Sequence, residues 1–170
     1  MKFQTWCKGR ILFNTLFFFC LKRYKTSLQT FARDQGEGSR GTGIYHVMLR
    51  GINRQDIFDD TEDYWTFIKM MSAVPCYIYA YCLMPNHVHL LIAEKSLKVG
   101  EVVKSIASCY VPYYNKKYGR IGHLLQDRFK SEPCNDSGYF LTLFRYIHQN
   151  PVKAGLVKTA KDYSRIPTPH

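Results

Sequence analysis

The chain has 170 residues, 46% of them hydrophobic, which is enough to bury one sizeable core and favours a single domain over several. Its 24 lysine and arginine residues outnumber 13 acidic residues, and the net charge of +11 indicates a polyanionic partner, either a nucleic acid or an anionic membrane surface. Aromatic residues make up 15% of the chain and include 13 tyrosines, whose flat rings suit unstacked bases better than a closed duplex.

The N-terminal segment differs in character from the rest of the chain. Basic residues precede an apolar run from Ile11 to Leu21, as in a signal peptide, but the run is too short to span a bilayer and no small-residue cleavage site follows it. The polar, glycine-rich residues 33–43 read as a linker. Residues 1–42 are therefore predicted to be an extension and linker with no stable membrane association, a signal peptide or an interfacial anchor being the alternative. Residues 43–170 form the predicted functional domain.

The six cysteines form no CxxC pair, and two of them lie within apolar, strand-like sequence. This pattern favours a reduced protein of the cytoplasm.

The first half of this domain alternates strand and helix patterns. Ile44 to Arg50 alternates in polarity and predicts a strand, and the following TEDYWTFIKMM predicts a helix capped by Thr61 and ended by Pro75. The apolar runs CYIYAYCL and HVHLLIA predict two strands joined by a hairpin turn at residues 84–86.

The second half repeats the pattern. Helical spacing over residues 96–118 predicts a long helix that is kinked at Pro112 and capped by Gly119. RFKSEPC predicts an edge strand, and Asp136 is expected to cap a third helix that ends at Pro151. The order β-α-β-β-α-β predicts an α+β fold: a ferredoxin-like antiparallel sheet with helices on one face and an extra C-terminal helix.

A pair of histidines is the main candidate site. His87 and His89 are two residues apart on a predicted strand, so both side chains point to the same face, whereas Val88 points into the core. Two adjacent imidazoles can bind one metal ion. A zinc site would need further cysteine or histidine ligands nearby, so Mg²⁺ or Mn²⁺ is the predicted cofactor, Mn²⁺ being more tolerant of imidazole. The alternative is a pair of solvated histidines with no ligand.

The third helix offers a nucleophile. Tyr146 and Asn150 are four residues apart and share one helix face. A phenol can attack phosphorus when a metal ion polarises the phosphoryl oxygen. Core packing for Tyr146 and helix capping for Asn150 are the alternatives.

Four segments in order resemble one known family. YHVMLRGINRQDIF, YAYCLMPNHVHLLI, GHLLQDRFKS and RYIHQNPVKAGLV are similar to the HUH-type single-tyrosine transposases, and most similar to the REP-associated tyrosine transposases, over residues 43–163. The first 32 or so residues and the short 71–77 connection depart from the family pattern. The resemblance also leads to the expectation that the transposase-like domain is shortened at its C-terminus. An inactive transposase remnant is therefore an alternative to an active enzyme.

The resemblance implies a mechanism. It assigns His87 and His89 to a divalent metal ion and Asn150 to the third, amide-oxygen ligand of that ion. It makes Tyr146 the nucleophile that forms a 5′-phosphotyrosine bond with single-stranded DNA while a 3′-hydroxyl is freed. The expected enzyme cleaves and rejoins single-stranded DNA at a hairpin or palindromic end during transposition, and a homodimer is left open.

The alternative function is a protein that binds single-stranded nucleic acid without catalysis. In that alternative, Tyr77, Tyr79 and Tyr81 would form a stacking platform on one strand face. In either case the first candidates for phosphate contacts are the basic residues that flank the predicted elements. They are Arg50, Arg54, Lys104, Arg128 and Lys130.

Overall fold

The computed structural model describes residues 43–126 and 128–163. The apolar run from Ile11 to Leu21, and the predicted extension and linker, lie outside the described residues. Within the described ranges no helix is long and apolar enough to cross a membrane.

Four antiparallel strands form one sheet in the order β2-β3-β1-β4. The strands are β1 (Ile44–Arg50), β2 (Tyr77–Met84), β3 (His87–Ala93) and β4 (Lys130–Pro133). The helices are α1 (Thr61–Ala73), α2 (Val99–Lys117) and α3 (Ser137–Lys153). This order of elements and strands confirms the predicted α+β, ferredoxin-like fold.

The first face of the sheet carries the larger core. Alternate residues of the central strands, such as Val47, Val88 and Leu90, are fully buried there against α1 and α2. The apolar faces of both helices contribute aromatic side chains, including Phe67 and Tyr110. The predicted long helix is one continuous helix through Pro112, and Gly119 after it adopts the left-handed conformation with φ of 62°.

A buried carboxylate ties α1 to α2. The Asp63 side chain is fully buried, caps the start of α1 by accepting from the Asp59 and Asp60 N–H groups, and lies 2.9 Å from Lys117 Nζ. The helix N-cap is Asp60, which accepts from the Asp63 N–H, so the prediction of Thr61 as the cap was off by one residue. Burial alone would raise the pKa of Asp63, but hydrogen bonds from Lys117 and Tyr118 hold it below its usual value.

Asp63→Ala is expected to lower the free energy of unfolding by about 2–4 kcal/mol, because it leaves buried donors without their acceptor. Urea denaturation followed by circular dichroism measures this. Glu62→Ala is the matched control, since the exposed Glu62 also lies 3.0 Å from Lys117 Nζ and should cost only about 0.5 kcal/mol. Because the folded-state pKa is lowered, the Asp63 contribution is present at neutral pH and is lost in acid. Equal effects of the two substitutions would contradict this assignment.

The second face of the sheet is covered by α3. Phe140, Leu143 and Ile147 pack on Leu91 and on small side chains of β2. Asp136 caps α3 as predicted, its side chain accepting from the Tyr139 N–H at 2.7 Å. The helix runs through the buried Pro151 to Lys153, so the prediction that Pro151 ends it was wrong. A proline this close to a helix end removes few hydrogen bonds, and its ring is buried in the last turn.

Candidate active site

The two motif histidines lie side by side on the face of β3 that α3 covers. Their ring centroids are 5.0 Å apart with an angle of 85° between the ring planes. Val88 between them is fully buried on the opposite face, which confirms the prediction that His87 and His89 share one face. His89 is only 3% exposed, so the face is not simply solvated.

A third histidine joins this pair from the neighbouring strand. His46 Nε2 lies 3.0 Å from His89 Nδ1, and the two rings are nearly coplanar, with 14° between their planes and 5.2 Å between their centroids. The alternation in β1 did not by itself mark His46 as part of the site. The contact joins residues 43 positions apart and depends on the β1–β3 register, which places Met48 opposite His89 and leaves His46 diagonal to it.

The other motif histidine also has a partner at Nδ1. Asn86 Oδ1 lies 2.6 Å from His87 Nδ1, and the Asn86 amide donates to the Arg54 carbonyl oxygen at 3.2 Å. The loop that supplies this carbonyl folds back at Gly51, where a Cβ atom would collide with the Gln55 carbonyl oxygen. Arg54 itself adopts a left-handed conformation with φ of 61°. The predicted phosphate ligand Arg54 therefore also supports the site through its backbone.

The histidine rings are neutral at physiological pH. Burial lowers the pKa of His89 to about 3, with smaller contributions from His87, His46 and Arg50. Burial also lowers the pKa of His87, and the charge of Arg50 acts in the same direction. Burial lowers the pKa of His46 against the opposing charge of Glu132. Neutral imidazoles are the form in which histidine binds metal ions.

Helix α3 places Tyr146 against the histidines within a single chain. The Tyr146 ring makes edge contacts with His89 at 5.6 Å and with His46 at 5.9 Å between centroids. The tyrosine is still 37% exposed. Lys153, seven residues further along the same helix, places its Nζ 4.9 Å from the centre of the Tyr146 ring. The two-turn spacing between Tyr146 and Lys153 is visible in the sequence and is the signal that identifies Lys153 as a neighbour of Tyr146.

The predicted third ligand, Asn150, lies one turn beyond Tyr146 on α3. The nitrogen of its side-chain amide donates to the Tyr146 carbonyl oxygen at 3.1 Å. The amide oxygen is therefore the atom that Asn150 can offer to a metal ion. Asn150 is inside the helix and does not cap it, because α3 continues to Lys153.

An open groove of about 400 Å³ runs between β4 and α3 beside these residues. The residues that line this groove include His46, His89, Lys130, Tyr139 and Tyr146. A second, smaller depression continues past Tyr146 along α3. It is lined by Leu141, Thr142, Arg145, Tyr146, Gln149 and Lys153.

The five predicted phosphate-binding residues are not all brought together. Arg50 pairs with His87 across the β1–β3 register, and its Nε is buried with no hydrogen-bond partner in the part of the chain that the structure describes. Lys130 faces the groove, and Arg128 lies exposed just before β4. Lys104 is exposed on α2, which packs on the other face of the sheet, so it lies away from the histidines.

The predicted tyrosine platform on β2 does not form. A β-bulge between Ile78 and Ala80 shifts the register, so the simple alternation of side chains is interrupted at Tyr79. Tyr79 packs on Phe140 under α3, whereas Tyr81 packs against the core on the opposite face. The three tyrosines therefore do not share one face.

Comparisons with known proteins agree with this architecture. The solved structure of a REP-associated tyrosine transposase bound to a REP hairpin has a TM-score of 0.59 and 21% identity, covering 76% of this chain and 80% of that one. A structure described as a "putative transposase" from Deinococcus radiodurans R1 has a TM-score of 0.46 and 16% identity, covering 66% and 96%. A search of curated proteins gave no match. Residues 40–150 match the family described as "Transposase IS200 like". The chain belongs to the IS200-like transposase family.

Proposed function

We propose that the protein cleaves and rejoins single-stranded DNA, with Tyr146 as the nucleophile. The observation that carries this proposal is the edge contact of Tyr146 with His89 at 5.6 Å in a single chain. A helix-borne phenol beside paired imidazoles combines a nucleophile with ligands for an ion that can polarise a phosphate. The test is to incubate the protein with a single-stranded hairpin and Mn²⁺ and to search by mass spectrometry for an oligonucleotide linked to Tyr146.

In the proposed reaction the phenolic oxygen of Tyr146 gives up its proton and forms a bond to phosphorus. The bond from phosphorus to the 3′-oxygen breaks, the 3′-oxygen takes up a proton, and the 5′ end stays on the protein. Attack by a 3′-hydroxyl on the phosphotyrosine reverses these steps and rejoins the strands. Lys153 supports this role, because its ammonium group lies 4.9 Å from the centre of the Tyr146 ring and can attract a phosphate to the nucleophile.

The donor set fits a divalent ion of the Mg²⁺ or Mn²⁺ type. His87 and His89 are neutral and adjacent, and each has a partner at Nδ1, so Nε2 is the ring nitrogen that each would offer to the ion. Asn150 is the proposed amide-oxygen ligand. Among the described residues no three His, Cys, Asp or Glu side chains are arranged to hold a metal ion, which disfavours a closed zinc site. An ion bound there would neutralise charge on the scissile phosphate.

The proposed substrate is a single-stranded DNA hairpin. The solved REP-associated transposase is bound to a REP hairpin, and this chain shares its fold. The groove beside Tyr146 is open, and Lys130, Arg145 and Lys153 line it or its continuation along α3. Basic side chains along an open groove suit a phosphate backbone.

Lys130→Ala is expected to weaken hairpin binding a few-fold and to reduce the dependence of log Kd on log salt by about 1, because one phosphate contact is lost. Fluorescence anisotropy between about 50 and 200 mM salt measures both values. Lys104→Ala is the matched control, since it removes the same charge from the other side of the sheet. An equal effect of the two substitutions, or wild-type binding that does not weaken with salt, would contradict the proposed DNA path.

A further inference from the structure

We propose that His46 is a positioning residue that accepts a hydrogen bond from His89 and so directs the other ring nitrogen of His89 toward the metal ion. This inference rests on the proposed function, in which His89 is a metal ligand. Its basis is the 3.0 Å contact between His46 Nε2 and His89 Nδ1, together with the near-coplanarity of the two rings, which aligns the nitrogen atoms for a hydrogen bond. His46 is thereby placed behind His89 and acts on the ion only through it.

The polarity of this hydrogen bond decides whether His89 can be a ligand. A neutral imidazole carries one proton, and only its unprotonated nitrogen can bind a metal ion. If His89 donates from Nδ1, its Nε2 is free. If His46 were the donor instead, the proton of His89 would lie on Nε2 and block it. His46 must therefore be the acceptor for His89 to serve as a ligand through Nε2.

The neighbouring histidine indicates the same polarity. Asn86 Oδ1 can only accept, and the Asn86 amide is oriented by its own donation to the Arg54 carbonyl oxygen. His87 must therefore donate from Nδ1, which leaves its Nε2 free. Two ligands on one strand hold one ion most simply when both offer the same nitrogen. A partner bonded to the second ring nitrogen of a ligand histidine is also the usual way of fixing ring orientation in metal sites.

The position of His46 in the sheet suits it to orienting the His89 ring. Its backbone is held between β3 and β4, with Leu91 and Glu132 as cross-strand partners. The Tyr146 ring lies nearly perpendicular to the rings of both His46 and His89, so α3 covers the hydrogen-bonded pair. The His46 ring cannot rotate away from His89 without changing its contact with Tyr146. The orientation of His89 is thus coupled to the docking of the nucleophile.

The first test needs no metal ion. Long-range ¹H–¹⁵N spectra of the metal-free, full-length protein report which ring nitrogen of each histidine carries the proton. His89 is expected to be protonated at Nδ1 in the wild type and in His46→Gln, whose amide oxygen can replace the acceptor. In His46→Phe, which keeps an aromatic ring without an acceptor, His89 is expected to shift toward protonation at Nε2. A wild-type His89 protonated at Nε2, or no change in His46→Phe, would overturn the proposal.

The second test measures the affinity for Mn²⁺ alone, by titration with detection of free Mn²⁺ by electron paramagnetic resonance. His46→Phe is expected to bind Mn²⁺ about tenfold to a hundredfold more weakly, and His46→Gln to retain most of the affinity. Weaker binding in His46→Phe without a change of the His89 tautomer would make His46 a direct ligand and overturn the positioning role. If the wild type bound no Mn²⁺, the metal-dependent function would fail, while the spectra would still decide the tautomer of His89.

Discussion

Tyr146→Phe is expected to abolish the covalent link between the protein and a hairpin oligonucleotide and to reduce strand cleavage by at least about 10³-fold. The substitution removes one oxygen atom, and that oxygen is the proposed nucleophile. The ring and its contacts with His46 and His89 remain, so the fold should be unchanged. The histidine cluster, formed by His46, His87 and His89, should be unchanged as well. Denaturing gel electrophoresis of labelled DNA measures cleavage, and mass spectrometry of the protein measures the adduct.

Tyr139→Phe is the matched control for this experiment. Tyr139 lies on the same helix, faces the same groove and is 36% exposed, against 37% for Tyr146. Its hydroxyl donates to Glu132 at 3.1 Å, and burial together with this carboxylate raises the pKa of Tyr139. The Tyr139 hydroxyl is thus held by Glu132, and Tyr139→Phe should leave the adduct intact. An adduct that survives in Tyr146→Phe would show that another residue attacks the DNA.

The position of the histidine pair was predictable from sequence because strand geometry has a short, fixed period. Residues two apart on a strand share a face, and the apolar Val88 between His87 and His89 identifies the opposite face as the one that packs in the larger core. The element order likewise predicted the sheet, since a β-α-β-β-α-β chain has few ways to pair its strands. These inferences used local patterns alone.

Contacts between distant segments were not predictable in the same way. The His46–His89 contact depends on the register between β1 and β3, and a shift of one residue would turn His46 to the other face. The bulge at Tyr79 has no glycine or other sequence marker, yet it breaks the alternation that predicted a tyrosine platform. The sequence also did not show which face of the sheet α3 would cover. The packing of α3 on the face that carries His87 and His89 is what brings Tyr146 to these histidines.

Single alanine substitutions of His87 and His89 are expected to reduce Mn²⁺-dependent hairpin cleavage by at least about 10²-fold, because each removes one of two adjacent imidazole ligands. Cleavage is measured by denaturing gel electrophoresis, and Mn²⁺ binding by titration in the absence of DNA. His89→Ala also empties buried space beneath Tyr146, so it should lower stability as well as activity. His87 is more exposed, and His87→Ala should lose activity with little change in the urea midpoint.

The matched control is His148→Ala. His148 is a half-buried histidine on α3, but its Nδ1 bonds to the Phe144 carbonyl oxygen at 2.8 Å and its ring lies against Phe144 at 4.4 Å, outside the histidine cluster. Its removal should therefore leave Mn²⁺ affinity and cleavage within a few-fold of the wild type. If His87→Ala cleaved DNA as well as His148→Ala does, the pair on β3 would not be the metal site. If His87→Ala lost Mn²⁺ affinity but kept full cleavage, the ion would bind there without taking part in the reaction.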